Sequence, residues 1–190
     1  DQFKAMDMTL LAEHITSGLV KQIEYQQEPS GTIWAITESG GFLSMTYERD
    51  QELYGWADHQ LGGADVKVKS MTSIFENTED RLWMCVERTI NDVSAVFIEY
   101  LTPQFDTDDD IADAFFVDAG LTYTGSATDT LAGLNHLAGT TDNDGEMVDI
   151  LVDGAAHPQV RVTAAGNIDL QVEGTKIHVG LPYTSRVDSL

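Results

Sequence analysis

At 190 residues the chain is long enough for one substantial β domain or two small ones, each with its own core. Its 10 basic side chains stand against 32 acidic ones, and the formal charge of −22 sets up a field that repels nucleic acid wherever no basic patch intervenes. Residues 1–102 net −10 and residues 103–190 net −12, so the acidity is a dispersed solvated surface rather than a detached tail. No run approaches the roughly 18 consecutive apolar residues of a membrane-spanning helix, and the first residues lack the basic-then-apolar layout of a secretory signal. The reading is a soluble chain, and its start at Asp1 rather than at a methionine predicts a fragment or a processed product.

Near the start, Met8, Leu11, Ile15 and Leu19 recur at helical spacing, with Asp7 placed as a cap and Gly18 at the end. The period then changes to two. Short apolar-alternating segments are broken by Pro29-Ser30-Gly31 and Ser39-Gly40-Gly41, which predicts strands near 20–27, 32–38, 41–48, 52–59, 66–75, 81–90 and 93–101. Asn91-Asp92 is the expected tight turn between the last two. Consecutive short strands make antiparallel meanders, here almost two four-stranded propeller-like blades. Two blades cannot close a propeller, so the pattern predicts open edges that meet other chain or other subunits.

The texture shifts at Thr102-Pro103-Gln104, and Asp106-Thr107-Asp108-Asp109-Asp110 follows as a charged break. The expected organisation is a propeller-blade-like β domain over 1–104 and a small β-barrel or sandwich domain over 105–190. In the second, shorter strands are expected at 115–117, 130–131, 147–152, 159–163, 167–171 and 176–179, with hairpin turns at Asp153-Gly154 and Gly166-Asn167. The fold class is therefore mainly β with one short N-terminal helix.

Candidate chemistry is sparse. The acids Asp106, Asp108, Asp109, Asp110 and Asp113 offer the oxygen ligands that calcium prefers, but read better as a solvated linker. Asp142-Asn143-Asp144-Gly145-Glu146 is like the opening of a calcium loop, yet its twelfth position falls at Asp153 beyond an expected strand, and a polar turn is the better reading. His14, His59, His136, His157 and His178 stand singly, without metal-ligand spacing. Cys85, in the apolar run Leu82 to Val86, is expected as a buried, inert thiol. No Gly-x-Ser-x-Gly elbow, phosphate-cradling glycine loop or Cys-x-x-Cys pair is present. The aromatics Trp34, Tyr47, Tyr54, Trp56, Trp83, Phe97 and Tyr100 alternate along strands, as core residues do. These patterns predict no catalytic residue, no cofactor and no metal. The expected contact residues are Trp56, His59, Tyr183 and Arg186, at turns or near the end of the chain.

Several strings carry a resemblance: Tyr25-Gln26-Gln27-Glu28-Pro29, Ile33-Trp34-Ala35-Ile36, Leu43 to Gln51, Tyr54-Gly55-Trp56-Ala57-Asp58-His59, Glu79-Asp80-Arg81-Leu82-Trp83 and Phe97-Ile98-Glu99-Tyr100-Leu101. In the second half, Phe116 to Leu121, Gly133 to Gly139, Val152-Asp153-Gly154-Ala155 and Val179 to Ser185 continue it. Together they resemble phage and prophage tail structural proteins of the tail tubular protein B, or nozzle-like, group. The region from Gly133 also resembles a small β-barrel half-domain of ubiquitin-activating enzymes, which implies a fold and no activity. The resemblance implies a non-enzymatic structural component of a tail or head-to-tail connector, in the virion and in host cytoplasm during assembly. Its partners would be other tail subunits, in a homo-oligomer, with no specific nucleic-acid binding. Members of the group are several times longer, so a full propeller, if the group has one, does not fit within these residues. The alternative from another class is a receptor- or glycan-binding β module of a phage tail.

Overall fold

A computed structural model describes residues 7–9, 12–48 and 53–186. Its fold is mainly β, with one short helix and three antiparallel sheets. The chain divides into two compact units, one of residues 1–59, 67–87 and 96–101, the other of 60–66, 88–95 and 102–190.

In the first unit the alternation seen in the sequence becomes a meander. Strands β1 (Val20–Gln26), β2 (Thr32–Thr37), β3 (Phe42–Glu48) and β4 (Leu53–His59) pair in chain order. The register pairs Trp34 with Ser44 and Phe42 with His59, so these four residues share one face. Ala35, Leu43 and Met45 are buried on the other face, while Ile36 and Phe42 are buried on the first. The expected short N-terminal helix is present as α1 (Glu13–Thr16); Leu11 lies outside the described residues and Leu19, beyond the helix, is exposed. Asp7 does not cap the helix but accepts from the Thr9 N–H and hydroxyl. The β-branched Ile15 and Thr16 disfavour a longer helix, and Gly18 runs close beside Thr37, where a Cβ would meet its side chain at 3.3 Å.

Strands β5 (Ala64–Glu76), β6 (Glu79–Ile90) and β7 (Val93–Tyr100) form a three-stranded sheet. Along β6 every second residue, Leu82, Met84, Val86, Arg88 and Ile90, is buried. Cys85 falls between them and is half-buried rather than buried, because the pleat turns it to the other face. The β6–β7 turn has positive φ at Asn91 and Asp92, the backbone of a two-residue hairpin loop. Within the first unit β1 lies along β5 and β6. The Gln22 side-chain amide exchanges hydrogen bonds with the Met71 carbonyl and N–H, and Gln26 Nε2 donates to the Asp80 carbonyl.

The second unit is built on β8 (Asp118–Leu131), β9 (Met147–Val152), β10 (Ala155–Arg161) and β11 (Ile168–Leu181), in the order β10-β9-β11-β8. Among the described residues this sheet stays open and does not close into a barrel. Its core is Val148, Ile150 and Val152 of β9 and Ile177, Val179 and Leu181 of β11, with Leu134 and Leu137 from a single 3-10 turn. Burial of each such side chain stabilises by roughly 1.5–3 kcal/mol. Strands β8 and β11 approach closely at two glycines: a Cβ on Gly180 would lie 2.7 Å from Gly120 Cα. The β9–β10 turn uses positive φ at Asp153 and Gly154, as expected.

Candidate functional site

Of the expected contact residues, Trp56 and His59 lie on β4 of the first unit. Strand alternation places Trp56 and His59 on opposite faces of β4. Trp56 Nε1 donates to the Met8 carbonyl at 3.0 Å, which anchors the segment before α1. Tyr183 and Arg186 are exposed in the stretch after β11, in the second unit.

The sequence reading missed the contact that His59 makes. His59 Nε2 and Ser44 Oγ share a hydrogen bond of 2.7 Å, and the imidazole packs against Trp34 and Phe42, with ring centroids 5.4 and 5.3 Å away. Trp34 and Phe42 stack at 5.0 Å. Burial lowers the His59 pKa, opposed by the neighbouring Asp58 carboxylate, so the ring is neutral at pH 7. A serine beside a neutral histidine has the distance of a nucleophile and base. Such a pair also needs a group to orient the ring and donors for an oxyanion. Alternation puts the Asp58 side chain on the other face of β4, and Ser44 itself is buried. The pair's clear role is to satisfy a buried hydroxyl inside an aromatic layer. The strand register was the signal for it, since residues 44 and 59 lie diagonally on paired strands.

The acidic loops use their carboxylates on their own backbone. Asp106 accepts from the Thr107 N–H, Asp109 from the Asp106 N–H and Asp110 from the Ala112 N–H. Asp144 accepts from the Thr140 hydroxyl and the Thr141 N–H, and Asp142 from the Ala164 N–H. Those bonds lower the Asp144 pKa, the Thr140 hydroxyl contributing most. Among the described residues no group of three or more His, Cys, Asp or Glu side chains is placed to hold a metal ion. The histidines are likewise engaged singly. His178, 4% exposed, bridges Thr122 and the Ala112 carbonyl, and His136 Nε2 lies 2.7 Å from the Ala119 carbonyl. No described helix is long and apolar enough to cross a membrane.

What stands out is apolar surface on the outer strands of the first unit. On β7, Val96, Ile98 and Tyr100 alternate on one face and are 58%, 75% and 46% exposed. Tyr100 is flanked by Trp83, with ring centroids 5.0 Å apart, and by the Arg81 guanidinium 4.5 Å over its ring. Ile23 and Tyr25 are similarly exposed on β1, and Ile74 and Phe75 on β5. Single exposed apolar residues are ordinary, whereas several together on an open sheet mark a candidate contact surface. Comparison of the chain with protein-family models and with curated proteins finds no match.

Proposed function

We propose that this protein is a structural component of a bacteriophage or prophage tail or head-to-tail connector, and that it works through subunit interfaces rather than through a reaction centre. The observation that carries the assembly role is the combination of three open antiparallel sheets with rows of exposed apolar side chains on outer strands. Stiff β scaffolding with edges left for neighbours suits a part that is completed by its neighbours. The tail assignment is supported by the resemblance of the Tyr25 to Gln51 and Tyr54 to His59 strings, and of their continuation in the second half, to the tail tubular protein B group. In that setting the chain resides in the virion, and in host cytoplasm while particles are built. The dispersed charge of −22 suits a tail wall, since it keeps passing DNA from sticking. Immunogold labelling of particles recovered from the source culture tests the assignment. Label on the tail or its junction with the head is expected; particles that carry no label would overturn it.

A further inference from the structure

We infer that β7 is the edge through which a second copy of this chain pairs, strand against strand, an inference that rests on the assembly role proposed above. The direction of the β7 backbone follows from two observations. The Asn91-Asp92 hairpin turn and the hydrogen bond from the Leu101 N–H to the Leu82 carbonyl, 3.0 Å, fit a single β6–β7 register. In an antiparallel ladder alternate residues point their N–H and C=O groups the same way. Residues 97, 99 and 101 therefore face β6, and the backbone groups of Val96, Ile98 and Tyr100 point away from it, along the outer edge.

The opposite edge of the same sheet is closed. On β5 the Val68 N–H donates to the Gly40 carbonyl, Lys21 Nζ donates to the Lys69 carbonyl, and Gln22 takes both backbone groups of Met71. No such capping contact reaches the outward groups of Val96, Ile98 and Tyr100 among the described residues.

Edge strands are usually protected by charges, proline or bulges. Here β1 carries Lys21 and Glu24, β4 carries Asp58, β8 carries Asp118 and Asp129, and β10 carries Pro158, Arg161 and a register irregularity. β7 carries no proline and no glycine, and its one charge, Glu99, lies at a position whose backbone groups face β6 rather than the outer edge. Charge then selects the occupant. Two chains of −22 repel, and they approach at least cost where each presents few acids. A partner strand must be extended, apolar on one face and poor in charge, and β7, whose one charged residue is Glu99, is such a strand. Antiparallel pairing centred on Ile98 sets Ile98 against Ile98 of the second copy and Val96 against Tyr100 of the second copy. Glu99 then lies opposite Phe97 of the second copy, so no like charges oppose each other directly. The contact is two-fold and closes on itself, joining subunits in pairs.

The test is the sedimentation-equilibrium mass of the wild-type chain, I98K, V96K and the control V172K, at 0.15 and 0.5 M salt. Val172 is also exposed, on β11 of the second unit, so V172K adds the same charge elsewhere. All three variants lower the net negative charge, which by itself favours association. The expected result is a wild-type dimer, an affinity at least about tenfold weaker in I98K and V96K, and no change in V172K. Far-UV circular dichroism identifies any variant that fails to fold, and the other β7 variant then decides. Wild-type association that survives both β7 variants would overturn the β7 pairing and leave the assembly role standing. A monomer at every concentration and both salts would overturn both.

Discussion

Arg88 is fully buried on β6, and a guanidinium so placed is costly unless its donors are met. Its Nη1 donates to the Gly62 carbonyl, and the Gly62 N–H donates to Asp118, so a side chain from β6 and another from β8 fix one glycine. Arg88→Met keeps an apolar stem but orphans that carbonyl, and should cost roughly 1–3 kcal/mol in a urea titration; an unchanged midpoint would contradict the anchoring role. His59 gives a pH signature. Its folded pKa is depressed by burial, so the neutral ring stabilises fully above the ordinary histidine value near 6.5. As pH falls below that value the unfolded chain takes up a proton that the folded chain resists, and stability declines until the lowered folded pKa is passed. Urea titrations between pH 7.5 and 5.5 should show a smaller decline in His59→Gln than in the wild type. Equal declines would mean that His59 is not the buried, neutral group described.

At the scale of elements, turns and strands differ in what specifies them. Gly154 sits at φ +82, and a Cβ there would meet Ile111 Cγ2 at 2.6 Å. Gly154→Ala should therefore destabilise by more than about 1 kcal/mol; a thermal midpoint equal to that of the wild type would refute the tight β9–β10 turn. That turn was legible from Asp153-Gly154, and β1, β6 and β7 were legible because one face of each is more buried than the other, which writes period two into the sequence, whereas β2 and β3, buried on both faces, were legible from the turn residues that flank them. Thus β7 was expected over 93–101 and occupies Val93–Tyr100. β8 was not legible. Between Leu121 and Thr130 it is nearly all exposed and polar, with Thr, Ser, Gly and Asp, and it is held by pairing with β11 rather than by burial. β11 was expected in two pieces because Glu173-Gly174-Thr175 interrupts the apolar pattern. The strand runs through that interruption with register shifts around Gly174. The N-terminal helix was legible from its apolar spacing, but α1 ends at Thr16, before Leu19, where Ile15 and Thr16 have weak helix propensity. The Ser44–His59 contact needed the β3–β4 register, which residue types alone do not supply.

For the whole molecule, charge and edges act against each other. The dispersed acidity opposes contact between copies, while open sheets with apolar rows favour it. Their balance must depend on salt. Ionic strength raised from 0.01 M to 0.15 M shortens the screening length from about 30 Å to about 8 Å, which removes most repulsion between exposed carboxylates and leaves apolar contact intact. The most direct measurement is the mass of the chain in solution by light scattering, across concentration and across that range of salt. The mass is expected to rise above the monomer with concentration and to rise further with salt. A mass that stays at the monomer throughout would contradict the assembly role.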